Sequence, residues 1–167
     1  MSLNKYVVAI PSYKRPQTLK NKSLRVLQEQ KIDPKRIDIF VADKEQEDIY
    51  KNELPKGSYN RIIVGKPGIK NIRNFMPNFY PEGQKIFYMD DDIGQIFQNF
   101  NNGKTLPRLN KDTYDKKHNK LVKLKNLHKF IESAFALAKK KKMDNWGVYP
   151  VENPYFMKPT TRKSDDY

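Results

Sequence analysis

The chain has no cysteine. That single absence excludes disulfides, thiolate metal sites and thiol nucleophiles together. Any metal must then be held by oxygen, or by His118 and His128, the two histidines present. Also missing is an apolar run approaching the length of a membrane span. The N-terminal MSLNKYVVAIPSYKRP has only a short apolar patch, broken by Pro11 and by charge, and does not have the form of a secretory signal. A cytoplasmic protein without a membrane span is expected. Acidic residues are scarce as well, 19 Asp and Glu against 33 Lys and Arg, for a net charge of +14. A field of that sign concentrates anions over the surface, so it favours a polyanionic or phosphate-bearing partner without choosing one. The run Lys139–Lys142 is read as a solvated helix end, where cations complement the macrodipole, in preference to a nucleic-acid patch.

At 167 residues the chain has the size of one domain with a single packed core. YVVAI (6–10), IDIFVA (37–42), NRIIVG (60–65) and KIFYM (85–89) are short, apolar and rich in β-branched or aromatic residues, and each is read as a buried strand. Between them lie segments of helical character at 16–31, with Leu19, Leu24 and Leu27 on its buried face, at 44–53, and at 68–76 after the breaker pair Pro67 and Gly68. Strands alternating with helices at this spacing predict an α/β fold, Rossmann-like, with a mostly parallel sheet flanked by helices. Beyond Gly94 the pattern changes. Residues 98–120 are polar and turn-rich and are expected to form a long loop or lid. A helix is expected over 123–140, with Leu124, Leu127, Ile131, Ala134, Phe135 and Ala138 facing the core, and another short strand and loop over 146–156.

Ligands of open α/β sheets sit outside the carboxyl ends of the strands. The unusual polar residues fall there: Ser12-Tyr13-Lys14-Arg15 after the first strand, Asp43 after the second, Lys66 after the third and Asp90-Asp91-Asp92 after the fourth. Three adjacent carboxylates repel one another and suit strands poorly, so they need either water or a cation. A solvated turn satisfies that need, and so does a metal site. Carboxylates two residues apart, Asp90 and Asp92, can project toward the same side and offer oxygen to a hard divalent ion.

VVAIPSYKRP, then FVAD, then GIKNIRNF, then IFYMDDDI, in this order, resemble the nucleotide-sugar-binding half of a GT-A glycosyltransferase with a DDD form of the DXD motif. The likeness is nearest to small viral and phage glycosyltransferases and covers residues 5–97. It implies a single GT-A-like domain, with 1–97 as the donor-binding half and 98–167 as lid, helix and partial acceptor region. It further implies a floor to the nucleoside pocket made by Pro11, Ser12, Tyr13 and Arg15, a base contact or loop-orienting role for Asp43, and donor contacts from Lys70, Asn71, Arg73 and Asn74. Asp90 and Asp91 would lie near the ribose and donor sugar, with Asp90 and Asp92 as ligands of Mn²⁺ or Mg²⁺ and Asp92 the principal one. The implied reaction transfers sugar from a nucleoside-diphosphate sugar, a UDP-sugar in the first instance, to a glycan, protein or modified-DNA acceptor.

Each assignment has a plainer counterpart. Arg15-Pro16 and Ser12 suit a helix start and a local cap, and Asp43 suits a helix cap. Lys70 and Arg73 suit an exposed basic stripe, although with Lys66 beside the Asp triplet they also suit a diphosphate. His118 and His128 lack ligand spacing and read as surface residues. Trp146, Tyr149, Tyr155 and Phe156 read as packing. No catalytic carboxylate is matched by Glu152, Asp165 or Asp166, so a donor-binding portion of a longer enzyme also fits the pattern. Two competing functions are nucleotidyl transfer, which PSYKRP disfavours by its lack of glycine, and a basic nucleic-acid-binding module, which the acidic triplet at the rim disfavours.

Overall fold

Four stretches rich in Val, Ile and Phe form strands in the computed structural model, which describes residues 5–100 and 120–148. These are β1 (Val7–Pro11), β2 (Ile37–Val41), β3 (Arg61–Val64) and β4 (Ile86–Tyr88). All pair in parallel, in the order β3-β2-β1-β4. Every residue of β1 and β2 is buried, as expected for parallel strands covered on both faces. The chain is therefore α/β, with an all-parallel four-stranded sheet flanked by helices, an arrangement compatible with a Rossmann-like fold. From β1 the chain moves outward through β2 to β3, then returns to place β4 on the other side of β1. Strand order reverses between β1 and β4, and their carboxyl ends lie side by side.

Pro11 closes β1 from inside the strand, opposite Phe40, rather than following it. At the last strand position its missing N–H breaks no inner rung, and the Ser12 amide continues the ladder by donating to the Phe40 carbonyl at 2.9 Å. The period of two sorts the side chains by face. Val7, Ala9, Phe40 and Ile63 form one core with Ile72, Met76 and Tyr80, contributed by helix α4 (Ile69–Phe79) and its end. The Phe40 ring meets Phe75, Phe79 and Tyr80 edge-on at 5.5–6.3 Å between centroids, the geometry that aromatic quadrupoles favour. Helix α3 (Lys44–Glu53) lies along β2 and β3 and touches α1 (Pro16–Leu19). Pro16 at the first turn suits α1 because its missing amide hydrogen has no intrahelical partner there. The helical path continues as a π turn (Lys20–Leu24) into α2 (Arg25–Glu29), with Leu19, Leu24 and Leu27 buried as the spacing predicts. It stops before the expected residue 31, where Lys31 adopts a left-handed φ of 55°.

Near the amino end of β2 the buried Asp38 carboxylate accepts from Asn60 Nδ2, from Arg61 Nε and Nη2, and from the Tyr80 hydroxyl, at 2.8–3.0 Å. All of these donors converge on a group with no exposure to water, which is what a buried carboxylate requires.

The chain divides into two compact units, one running up to Gln95 and including Asn126–Glu132, the other comprising Ile96–Lys125 and Ser133 onward. Within the second, β5 (Phe97–Phe100) pairs antiparallel with β6 (Lys120–Lys123). Two expectations are corrected here. The ends of the predicted loop 98–120 are strand, and helix α5 runs Leu127–Lys140 rather than from 123. The KLVK stretch satisfies a helical and a strand reading equally at four residues, and Asn126 decides the boundary, its Oδ1 accepting from the Lys129 amide as a helix cap. Lys139 and Lys140 occupy the last turn of α5, the macrodipole position expected of them. Trp146 packs edge-on against Phe135 at 5.3 Å, and residues 146–148 are not strand. The remaining parts of the 98–120 and 146–156 expectations, with His118, Tyr149, Glu152, Tyr155, Phe156, Asp165 and Asp166, lie outside the described residues. No helix among the described residues is long and apolar enough to cross a membrane.

Replacing Phe40 by Ala removes the ring at the centre of the α4 core and should cost about 3–5 kcal/mol in denaturant unfolding. A second outcome concerns alkali. Burial pushes the Tyr6 hydroxyl up to about 12, and pushes Tyr50 and Tyr88 upward as well; Tyr80 is raised by burial first and then by the Asp38 carboxylate. A raised value means the native state holds the proton more tightly. The corresponding stability is complete below about pH 10 and disappears as pH rises through the native values. Absorbance at 295 nm should therefore show some tyrosines ionising only as the circular dichroism is lost. Titration of all ten near pH 10 with the fold intact would contradict this assignment.

Candidate functional site

The loop after β1 is shaped from beneath by α3. Lys14 adopts φ 55°, a left-handed conformation that non-glycine residues seldom visit unless held. Its amide donates to Gln46 Oε1 at 2.9 Å, and the Arg15 amide donates to the Tyr50 hydroxyl at 3.1 Å. Gln46 and Tyr50 stand one turn apart on α3, so both reach the same loop. Asp43 fixes the start of that helix, its Oδ1 accepting from the Gln46 amide at 2.9 Å. The Asp43 carboxylate thus serves as the cap that composition allowed, and it lies only partly exposed.

Across the strand boundary, the acidic triplet follows β4 as a turn whose members point differently. Asp91 is 1% exposed. Its Oδ2 accepts from Ser12 Oγ at 2.6 Å and its Oδ1 from Arg15 Nη2 at 2.6 Å. Ser12 Oγ also lies 2.7 Å from the Tyr50 hydroxyl. Because the serine proton goes to the carboxylate, Tyr50 must donate to Ser12, and a directed chain results: Arg15 N–H to Tyr50, Tyr50 to Ser12, Ser12 to Asp91. Aligned donors of this kind polarise one another. Burial raises the Tyr50 hydroxyl above its ordinary range, so it stays protonated and able to donate at neutral pH, although its bonds with Ser12 and Arg15 partly oppose the shift.

Ser23 secures the backbone of the turn. It is fully buried in the π turn, where its Oγ donates to the Asp90 carbonyl at 2.6 Å and accepts from the Ile93 amide at 2.9 Å. Arg25 Nη2 donates to the Gly94 carbonyl at 2.9 Å. π turns occur mostly as isolated insertions near functional sites, and this one carries the residue that clamps the triplet.

Asp90 and Asp92 turn outward, with side chains 56% and 46% exposed. Asp90 pairs with Arg73 Nη2 at 2.9 Å, and Asp92 lies 3.7 Å from Arg15 Nη1. Arg73 and Met76 of α4, Pro11, Tyr88, Met89 and Asp90 line an open cavity of about 440 Å³. It lies at the strand-order reversal. Gly68, at φ 90°, begins α4 beside the same rim, a conformation that favours glycine. Lys66, Lys70, Asn71 and Asn74 are exposed around this helix start, with Asn71 Nδ2 donating to the Pro67 carbonyl at 2.8 Å. Tyr13 is exposed at the tip of the β1 loop, with Lys14 Nζ 5.2 Å from its ring centre.

Among the candidate residues, Ser12, Arg15, Asp90, Asp91 and Asp92 form one bonded assembly, joined to α4 through Arg73 and adjoined by Pro11 at the cavity wall. Asp43 reaches it only through α3. Among the described residues, Lys70, Asn71 and Asn74 make no hydrogen bond to it. Asp91 is not among the residues that line the open cavity; its carboxylate is buried in the bonds with Ser12 and Arg15. His128, read as a surface residue, is exposed and hydrogen-bonds the Tyr6 hydroxyl through Nδ1 at 2.9 Å. The sequence reading did not find Gln46, Tyr50, Ser23 and Arg25, which hold the two loops, nor Met76, Tyr88 and Met89 of the cavity wall. The spacing of Gln46 and Tyr50 by four on a short polar helix was a usable signal, whereas nothing local distinguishes Ser23.

Among the described residues no group of three or more His, Asp or Glu side chains could hold a metal ion. The donor set available is two outward carboxylates from one turn, all oxygen. That set fits Mg²⁺ or Mn²⁺, which bind through one or two carboxylates together with substrate phosphates, and does not fit a closed protein cage. No protein-family model, curated protein or solved structure matches this chain.

Tyr50→Phe removes the middle hydroxyl of the buried chain, leaving the Arg15 amide and the Ser12 oxygen each short of a partner. Denaturant unfolding should show a loss of about 1–3 kcal/mol with unchanged far-ultraviolet circular dichroism. A neutral substitution would mean the chain of donors is not maintained in solution.

Proposed function

We propose that the protein is a metal-dependent glycosyltransferase of the GT-A type that binds a nucleoside-diphosphate sugar, with a UDP-sugar as the donor. One observation carries the reading: Asp90 shares a cavity with Pro11 and Arg73 where the strand order reverses, the position at which α/β sheets bind nucleotides. A solvated surface turn has no need of such a neighbour.

In this reading the Asp triplet divides its tasks. Asp91 positions the loop that carries Ser12, Tyr13 and Arg15. Asp90 and Asp92 hold Mn²⁺ or Mg²⁺ together with the donor phosphates. When bound, the ion supplies Lewis acidity that neutralises charge on the departing diphosphate. Arg73, with Lys66 and Lys70 nearby, offers cationic hydrogen-bond donors to the phosphates. Pro11 and Tyr88 supply flat apolar surface to the donor, Tyr13 supplies an exposed ring beside it, and Asn71 and Asn74 lie within the first turns of α4 for its polar groups. The positive surface suits an acceptor of negative charge, modified DNA among them.

Isothermal calorimetry tests the reading. UDP should bind in the presence of Mn²⁺ or Mg²⁺, weaken sharply on chelation, and fail to bind the Asp92→Ala variant. Metal-independent binding indifferent to that substitution would refute the role given to Asp92.

A further inference from the structure

The two arginines at the acidic turn are held very differently. Arg15 is tied by a 2.6 Å bond to Asp91, whose carboxylate is 1% exposed and also bonded to Ser12. Moving Arg15 would leave a buried carboxylate with one donor fewer, which the fold resists. Among the described residues the Arg73 guanidinium pairs with Asp90 alone, and both members of that pair are more than half exposed, 58% and 56%. An exposed pair of this kind contributes little to stability and exchanges partners readily.

Arg73 therefore sits on a carboxylate assigned above to a cation, while it is itself suited to phosphate. A guanidinium beside Asp90 opposes a divalent ion by like-charge repulsion and by occupying Oδ1. A diphosphate entering the cavity that Arg73 lines offers the guanidinium two oxygens in a planar fork, a better match than one carboxylate oxygen. Its transfer frees Asp90.

We infer that Arg73 couples the cation to the diphosphate: in the free protein it screens Asp90, and on donor binding it exchanges Asp90 for phosphate, so that ion and nucleotide each raise the other's affinity. The inference rests on the donor-binding reading given above. Reciprocity is required by linkage, since a factor by which UDP raises Mn²⁺ affinity is the factor by which Mn²⁺ raises UDP affinity. Arg15 Nη1 also lies 3.7 Å from Asp92, but the 2.6 Å bond of Arg15 to the buried Asp91 anchors it and leaves the exchange to Arg73.

The test uses the whole chain with Mn²⁺ alone, UDP alone and both together, following free Mn²⁺ by electron paramagnetic resonance and UDP by calorimetry. For the unmodified protein UDP should raise Mn²⁺ affinity by about fivefold or more. In Arg73→Gln, Mn²⁺ alone should bind more tightly than to the unmodified protein, UDP should bind more weakly, and the coupling factor should shrink to the part that the ion makes by contacting the phosphates directly. Arg73→Lys keeps the charge but not the fork. It should restore the weak binding of Mn²⁺ alone while recovering only part of the UDP affinity. Circular dichroism confirms that each variant is folded, as expected for an exposed side chain. If the unmodified protein binds UDP with Mn²⁺ but Arg73→Gln leaves both the affinity for Mn²⁺ alone and the coupling factor unchanged, the exchange is wrong and the donor-binding reading stands. If the unmodified protein binds no UDP under any condition, both fall together.

Discussion

A buried carboxylate with no water must be given donors by the protein, and Asp91 is such a group. Its partners, Ser12 and Arg15, come from the loop after β1, so meeting its requirement ties the ends of two neighbouring parallel strands together. The consequence reaches further than one ion pair. Ser12 is oriented by Tyr50, Tyr50 also fixes Arg15, and the helix carrying Tyr50 is started by Asp43. Turning Asp91 inward leaves the flanking Asp90 and Asp92 facing out. The geometry of the triplet is therefore an outcome of satisfying its central member.

The β3-β2-β1-β4 order makes this possible. Had β4 been added beside β3, the triplet would stand at the far edge of the sheet, beyond reach of Ser12. Placement beside β1 also leaves the α4 side of β4 open near its end, where Pro11, Met76, Tyr88 and Met89 wall the cavity. Scaffold and site thus share residues: Met76 belongs both to the core around Phe40 and to the cavity wall.

Much of this architecture was legible in the sequence, for physical reasons. The four strands are continuous apolar runs, the pattern of two-sided burial, and their ends were misplaced by no more than a residue or two. Helices α3 and α4 were bounded by Asp43 and Gly68, residues whose capping preferences are strong. The failures cluster where local preference is ambivalent. KLVK at 120–123 supports helix or strand equally, and pairing with β5, a non-local contact, decides for strand. The continuation of α4 through Pro77 to Phe79 was missed because proline reads as a stop. At the site, the triplet was visible as a charge anomaly, but the opposite orientation of its members depends on Ser12 and Tyr50, 79 and 41 positions before Asp91 in sequence, and on Ser23. Nor could the sequence show that Arg73 rests on Asp90, since that contact joins helix α4 to the turn after β4.

The central claim is that the middle aspartate is structural and its two neighbours are the ligands. A crystal structure of the protein with UDP and Mn²⁺ tests it most directly, because anomalous scattering locates manganese independently of the surrounding density. The account predicts an anomalous peak touching Asp90 and Asp92, with diphosphate density in the cavity beside Pro11 and with Asp91 still bonded to Ser12 and Arg15. Manganese coordinated by Asp91 after it has left Ser12 and Arg15, or nucleotide bound away from the β1 and β4 ends, would contradict it.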